Sequence, residues 1–517
     1  MNSKERKRRA RSQQSHLQLQ FLGANKTVTG SLHFLEFTNE EGKTIRFFVD
    51  MGLNQENEGM NFQNRLPAGL KASDVAFGIF THAHIDHVGY FPKLVKDGFS
   101  GPVYATPPTA DLLGILLPDS GHIQEEDAGR KQARAQRRDA DAKKTAKQNP
   151  KPQRGGKKPV EKPEVKSIVP LYTEQDARAS LRLVQAIEFG KPFSPAEGIT
   201  FRFLRASHLL GAAIVLLEIG KGSKKRRVCF SGDIGRPGMP IIKDVERVKQ
   251  ADYVVCEGTY GARLHEKRDR LKSLEQIINA AYERALKGKG KEGAGVILMP
   301  AFAVGRVQSV LIDLQQLMKK KRIPAIPVMI DSPMANLATE IHRKHSSEFN
   351  KATLEIAAEG DPFRTPEFAE LMSMEQSLKL DLPASRPIII LSSSGMATGG
   401  RIMRHLQKRL PGQHNTIVFV GFQAEGTLGR QLLGPEKTAR IAGVEVAVRA
   451  SVEYLQDYSG HGDYNDIINW LRGFDPKPRK LFLVHGDSES LESLKEKAEA
   501  LGFHVEIPGY RDTVDLD

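Results

Sequence analysis

Near the start of the chain, three short runs alternate apolar and polar positions with the period of two that a half-buried strand requires. They are residues 16–22, 31–38 and 43–50, and the polar turn Asn39–Lys43 joins the last two. The third run ends in Phe47, Phe48, Val49 and Asp50. A further apolar run, Val75 to Phe80, leads straight into a cluster of histidines, and residues 107–128 carry helical spacing. Strands are predicted again at Ile199–Arg205, Ala213–Ile219, Arg227–Ser231 and Tyr253–Cys256. From about residue 268 the pattern changes. Helices over Leu271–Leu286, Arg306–Lys320 and Arg401–Arg409 alternate with strands at Gly295–Met299, Val328–Asp331, Ile388–Leu391 and Thr416–Gly421. Short buried strands alternating with helices predict a parallel sheet. The chain closes with a strand at Glu445–Leu455, a helix at Asn465–Leu471, a strand at Lys480–Val484, a helix at Ser490–Leu501 and a strand at His504–Ile507. No internal repeat is visible.

At 517 residues the chain is too long for one compact core, so two or more domains are expected. The two cysteines, Cys229 and Cys256, each end an apolar run; this excludes a disulfide framework and points to a reducing, cytoplasmic setting. No apolar stretch approaches the roughly 18–20 residues that span a bilayer. Met1 to Gln14 is basic, but alternating rather than continuous apolar residues follow, so neither a secretory leader nor a membrane partner is expected. The net charge of +14 is unevenly placed: residues 1–16 carry +5 and residues 130–166 carry +10, leaving the rest at about −1. The stretch from Lys131 to Val165 has almost no large apolar residues and cannot bury a core, so a disordered or partly helical insertion is expected at about 130–168. Both segments either add salt-dependent, non-specific nucleic-acid contacts or serve only as solvated tails.

Chemistry concentrates in Thr81-His82-Ala83-His84-Ile85-Asp86-His87, directly after an apolar strand. With 15 histidines in 517 residues, a chance match to this spacing is a roughly one-in-a-thousand event, which disfavours a plain polar loop. Imidazole and carboxylate bind zinc-like ions. The spacing suits two ions: His82 and His84 reach one, while Asp86 and His87 turn toward a second. Further donors stand at strand ends, His208 after Ile199–Arg205, Asp233 after Arg227–Phe230 and His485 after Lys480–Leu483. Each alone is more often structural, but their recurrence at the carboxyl ends of strands argues for one site.

In order and context, His82, His84, Asp86, His87, His208 and Asp233 resemble the metallo-β-lactamase superfamily. The resemblance implies an αββα sandwich in which Asp233 bridges two ions and Asp50 supports the metal loop from behind. Cys256-Glu257-Gly258-Thr259-Tyr260-Gly261, Ser459-Gly460-His461-Gly462-Asp463-Tyr464 and Val484-His485-Gly486 are similar to three further motifs of the β-CASP nucleases, which carry an α/β domain inserted into that fold. So are Pro300 to Arg306, Asp331 to Ala335 and Ser393 to Arg401. The similarity extends to bacterial and archaeal ribonucleases related to the endonuclease subunit of the pre-mRNA cleavage and polyadenylation machinery. It leaves out residues 1–16 and about 130–168. It implies a metallo-β-lactamase domain at 17–257 and 441–517 and the inserted domain at 258–440, after a basic disordered tail at 1–16 that the charge pattern predicts. Two positions depart from the pattern: Gly258 stands where many relatives have Ser, and Asp487 where many have Glu. Neither removes a ligand.

Hydrolysis of a phosphodiester needs a nucleophile at neutral pH, neutralised phosphate oxygens and a proton for the leaving oxygen. Two zinc ions with a bridging hydroxide supply the first two; manganese or iron suits the same donors. His82, His84, His208 and Asp233 are assigned to one ion, and Asp86, His87, Asp233 and His485 to the other. The resemblance gives catalytic roles to His461 as general acid, to Glu257 beside it, and to Asp86; it also implies RNA as substrate, since β-CASP members with a histidine at position 485 act on RNA. Arg306, Ser332, Ser393, Ser394 and Arg401, near glycine-rich helix starts, are candidates for phosphate or RNA binding. No aromatic stacking platform is identifiable, and Trp470 is expected in a core. The leading expectation is an endoribonuclease leaving 5′-phosphate and 3′-hydroxyl ends. The alternatives are a 5′–3′ exoribonuclease of the ribonuclease J kind, which usually has an extra C-terminal domain, and a small-molecule metallo-hydrolase, which needs no covering domain. A homodimer is expected from the resemblance alone.

Overall fold

A computed structural model describes residues 15–63, 65–148, 168–266, 268–288 and 293–516. Two seven-stranded sheets face one another. The first has the order Thr513–Asp515, His16–Gly23, Leu32–Thr38, Thr44–Val49, Phe77–Ile79, Val103–Ala105 and Val184–Ala186, antiparallel over its first four strands and parallel beyond. The second runs Val505–Glu506, Lys480–Val484, Tyr253–Glu257, Arg226–Phe230, Ala213–Ile219, Ile199–Arg205 and Phe193–Ala196. Because side chains alternate across a strand, Leu17, Leu19 and Phe21 point inward and meet Phe201, Phe203, Val215 and Phe482 in one core between the sheets. The rings of Phe21 and Phe482 stand 5.1 Å apart in that core. Phe48 and Phe80 point outward and pack against Phe91 and Phe99, while Val254, Cys256 and Leu483 join Leu491 and Leu494 of the helix Ser488–Ala500 in the outer core. The result is the αββα sandwich expected from the motifs.

A third sheet has six strands, in the order Phe368–Glu370, Val328–Ile330, Ile388–Ser392, Val296–Pro300, Thr416–Val420 and Ser451–Leu455. Every pair in it is parallel, as the alternating pattern predicted. The helices Arg270–Ala285 and Arg306–Lys319 cover one face through Ile278 and Leu311, and the helix Arg401–Arg409 covers the other through Ile402 and Leu406. This α/β unit is the inserted domain of the β-CASP pattern.

Two expectations change. The run Glu445–Leu455 is not one strand: Val444–Ala447 forms a hairpin with Thr438–Ile441, and Ser451–Leu455 joins the six-stranded sheet. The backbone N–H groups of Arg449 and Ala450 both donate to Leu410 O, at 2.8 and 2.9 Å, and this bends the chain out of the hairpin. The six-stranded sheet therefore extends beyond the expected boundary at 440. Second, the helix expected at 107–128 continues as Pro107–Gln148 into the basic insertion. Ala, Gln, Lys and Arg are good helix formers, and nothing between Arg130 and Gln148 breaks the helix. Residues 149–167 of the insertion and 1–14 of the basic tail lie outside the described residues. Trp470 is buried and donates through Nε1 to Glu246 O at 3.1 Å, and both cysteines are buried and free.

A buried network ties the parallel sheet's helices to the loop that carries His461. Asp313, fully buried, accepts from Arg270 Nε at 2.6 Å and from Tyr458 Oη at 2.7 Å. Stripping Arg270 away leaves a buried carboxylate without its cation. Arg270→Ala is therefore expected to cost about 3–5 kcal/mol, and Tyr458→Phe, which removes one hydrogen bond, about 1 kcal/mol. Urea unfolding of the two variants checks the order; equal midpoints would contradict it.

Candidate metal centre

The strands Thr44–Val49, Phe77–Ile79, Ile199–Arg205, Arg226–Phe230, Tyr253–Glu257 and Lys480–Val484 all end at the same edge of the sandwich; Tyr253–Glu257 ends in Glu257 itself, and each of the others is followed within three residues by a polar residue of the predicted set. The chain leaves several of these strands abruptly. Asp50, Ser207 and His485 adopt left-handed backbone angles, with φ of 60°, 63° and 51°. The loop that carries His82 to His87 lies hard against Gly52, where a Cβ would fall 1.6 Å from Asp86 O.

Seven predicted donors converge there. His84 Nδ1 lies 3.1 Å from His82 Nε2 and 3.2 Å from His208 Nε2. Asp233 Oδ2 stands 3.5 Å from His82 Nε2 and 3.6 Å from His208 Nε2. In a second group, His87 Nε2 and His485 Nε2 are 3.1 Å apart, and Asp86 Oδ2 is 3.5 Å from His485 Nε2. The other oxygen of Asp233, Oδ1, faces this group, 3.4 Å from His87 Nε2 and 3.8 Å from His485 Nδ1. Asp233 thus turns one oxygen to each group.

The backs of several rings are fixed. Asp50 accepts from His87 Nδ1 at 2.7 Å and from Thr81 N and Thr81 Oγ1 at 2.8 Å each. Thr81 Oγ1 also lies 3.1 Å from His82 Nδ1, and Thr259 Oγ1 lies 3.1 Å from His485 Nδ1. Neither threonine was singled out from the sequence. Their only signal is adjacency, Thr81 beside His82 and Thr259 two residues after Glu257.

The donors fit cations of the zinc type. Ligands about 2.0–2.1 Å from a tetrahedral ion stand roughly 3.3–3.4 Å from one another, close to the spacings in both groups. Asp233 Oδ1 is buried and has no hydrogen-bond partner among the described residues, which is costly for a carboxylate oxygen unless a cation faces it. Burial acts to raise the Asp233 carboxyl, but His485, His87 and His82 outweigh it and hold it well below the usual carboxylate range. Burial and His87 push His82 well below the ordinary imidazole value, so that ring is neutral, as a metal ligand must be.

His461 sits beside the first group. Its ring centroid is 4.4 Å from that of His208, and its Nδ1 lies 3.3 Å from Glu257 Oε1 and 3.9 Å from Asp233 Oδ2. Glu257 is itself held by the backbone N–H groups of Ile234 and Thr259, at 2.6 and 3.3 Å. Burial opposes charge on His461, yet Glu257 and Asp233 lift it to about 9. A backbone bridge to Gly235 pins the loop, and Gly462 N donates to Ile234 O at 2.8 Å.

The expected phosphate-handling residues fare differently. Arg401 is not available as expected: its guanidinium holds Asp331 Oδ1 at 2.7 Å and the carbonyls of Leu371 and Met372 at 3.1 and 2.8 Å. Ser332 caps the helix Pro333–Lys344 and touches Ser393 Oγ, while Ser394 Oγ bonds Thr398. Arg306 alone of the five has no hydrogen bond or ion pair among the described residues, and its Nε is buried without a partner. Glycine-rich turns announced phosphate groups, but the buried Asp331 that consumes Arg401 lies 70 residues away in sequence.

The chain is similar to known proteins along most of its length. A Beta-Casp domain model matches residues 307–432, and a model described as a Zn-dependent metallo-hydrolase RNA specificity domain matches residues 445–508. Ribonuclease TTHA0252 of Thermus thermophilus is 31% identical over 496 residues, which cover 96% of this chain and 99% of that protein. The transcription termination factor FttA of Methanocaldococcus jannaschii is 28% identical over 91% of this chain and 67% of its own length, and that of Methanosarcina mazei 29% identical over 92% and 67%. A crystal structure of a protein of unknown function from Enterococcus faecalis V583 superposes with a TM-score of 0.52 at 12% identity, covering 97% of this chain and all of that one, which bears on the fold alone.

Asp50→Asn keeps the shape of the side chain but loses one of the acceptors that fix Thr81 and His87. It is expected to weaken metal retention about 10- to 100-fold, read by competition with a chelator. Unaltered retention would show that the ligands orient themselves.

Proposed function

We propose that this chain, which belongs to the β-CASP family of metallo-β-lactamase-fold ribonucleases, is an endoribonuclease that uses two zinc ions and a histidine acid. One observation carries the reading: a single buried carboxylate, Asp233, turns its two oxygens to two separate imidazole groups, as a residue shared by two cations would. His82, His84, His208 and Asp233 are the proposed ligands of one ion, and Asp86, His87, Asp233 and His485 those of the other. When bound, the ions supply a water activated at neutral pH and neutralise the non-bridging phosphate oxygens.

The chain's own groups do the rest. Glu257 accepts from His461 Nδ1 and so aims the ring, leaving Nε2, which has no hydrogen bond among the described residues, to give its proton to the departing 3′ oxygen. Asp50 and Thr259 keep His87 and His485 in place from behind. We take the inserted domain to run from the turn after Glu257 to Leu455, the end of the last strand of the six-stranded sheet. A domain of that size beside the metal edge suits a polymer better than a small molecule, and the naming of TTHA0252 as a ribonuclease supports RNA as that polymer.

The purified protein, given RNA labelled at its 5′ end or internally, is expected to produce internal fragments, and chelator should stop it. Mononucleotides from the 5′ end would make it an exonuclease, and no cleavage of any RNA would sink the reading. His84→Ala is expected to lose metal and activity together. His461→Ala should keep its metal by elemental analysis and cut about 10²–10⁴-fold more slowly; loss of metal from that variant would place His461 among the ligands instead.

A further inference from the structure

Beside the proton donor, aromatic rings and guanidinium groups gather with no anion among the described residues to balance the guanidinium charge. Phe422 follows the strand Thr416–Val420 and is 40% exposed. Its ring centroid is 6.3 Å from that of Tyr260, which follows the strand Tyr253–Glu257 of the sandwich and lies 5.7 Å from the ring of His461. The guanidinium of Arg263 stands over both rings, 5.2 Å from Phe422 and 5.5 Å from Tyr260, and makes no hydrogen bond or ion pair among the described residues. Phe422 is raised on Gly421, whose φ of +87° makes the turn, and the Arg306 guanidinium packs against that turn, its Nε 3.4 Å from where a Cβ on Gly421 would be. Arg306 likewise has no anion; burial pushes its guanidinium down to about 10.

An exposed aromatic ring costs solvation, and a buried guanidinium without an anion costs more. A flat ring stacked over Phe422, with an anion at Arg306, relieves both. Every nucleobase offers such a face and every nucleotide such an anion. A base inside a duplex does not, because its faces are already stacked.

We propose that Phe422, Arg263 and Tyr260 form a stacking platform for one unpaired nucleobase next to the bond being cut, with Arg306 taking the adjoining phosphate, so that the enzyme selects single-stranded RNA. The proposal rests on RNA being the substrate. It assigns the free arginines a ligand, and it supplies the aromatic subsite that the sequence pattern did not reveal.

The test uses the metal-loaded full chain and single-stranded oligoribonucleotides that carry 2-aminopurine at successive positions between uridines. One position is expected to lose fluorescence on binding. That quenching should disappear with Phe422→Ala and persist with Phe422→Trp. KM for cleavage should rise about tenfold or more with Phe422→Ala and return toward wild type with Phe422→Trp, while Arg263→Ala should weaken both signals. Cleavage without quenching at any position, or quenching that Phe422→Ala leaves intact, overturns the platform and spares the ribonuclease reading. Quenching without cleavage does the reverse. Neither quenching nor cleavage removes both.

Discussion

The structure is organised around one electrostatic obligation, the Asp233 carboxylate buried at the edge of the sandwich. A buried carboxylate is tolerated only where positive charge or donors face it. Here five imidazoles do, two of them 3.4 and 3.5 Å away from different oxygens. Those imidazoles come from residues 82 to 485, so the obligation can be met only if strands distant in sequence end side by side. The sheet order, parallel at 480–484, 253–257 and 226–230, meets that condition.

The inserted domain does not merely lie beside this centre. Tyr458, three residues before His461, is bound through Asp313 to the helix Arg306–Lys319 and through it to Arg270 on the helix Arg270–Ala285. The loop that presents His461 is therefore held on one side by the parallel sheet's helices and on the other by Gly235 of the sandwich. Phe422 and Tyr260 meet across the same seam. His461, the two aromatic rings and the imidazoles around Asp233 thus share one junction between the two units.

Much of this was legible in the sequence, because metal chemistry demands few residue types at short spacings. The string from His82 to His87, and the single donors His208, Asp233 and His485 after apolar runs, announced themselves. The period of strands and helices from residue 268 gave the parallel sheet for the same reason: buried strands have no polar face to confuse the pattern. What escaped were contacts between residues far apart whose types are ordinary. Nothing in Asp331 foretells that it will occupy Arg401, nothing in Thr259 that it will steady His485, and nothing in Phe422 that it will meet Tyr260. The strand expected at Glu445–Leu455 failed because alternation continues through Arg449 and Ala450, while the carbonyl of Leu410 captures both their N–H groups.

The left-handed backbone angles at Asp50, Ser207 and His485 have a consequence for assembly. These residues are aimed by main-chain dihedrals rather than by freely turning side chains, and conformations of this kind persist only where the surrounding fold enforces them. The enforcement comes from the packed sheets, whose aromatic core owes nothing to any ion. The ordering entropy of the residues gathered at this edge is thus met largely by the packing of the sheets. Small zinc domains that are unfolded without their metal represent the opposite regime; here the packed sheets carry the fold, and an ion bound at this edge would add its own binding free energy to the thermal stability.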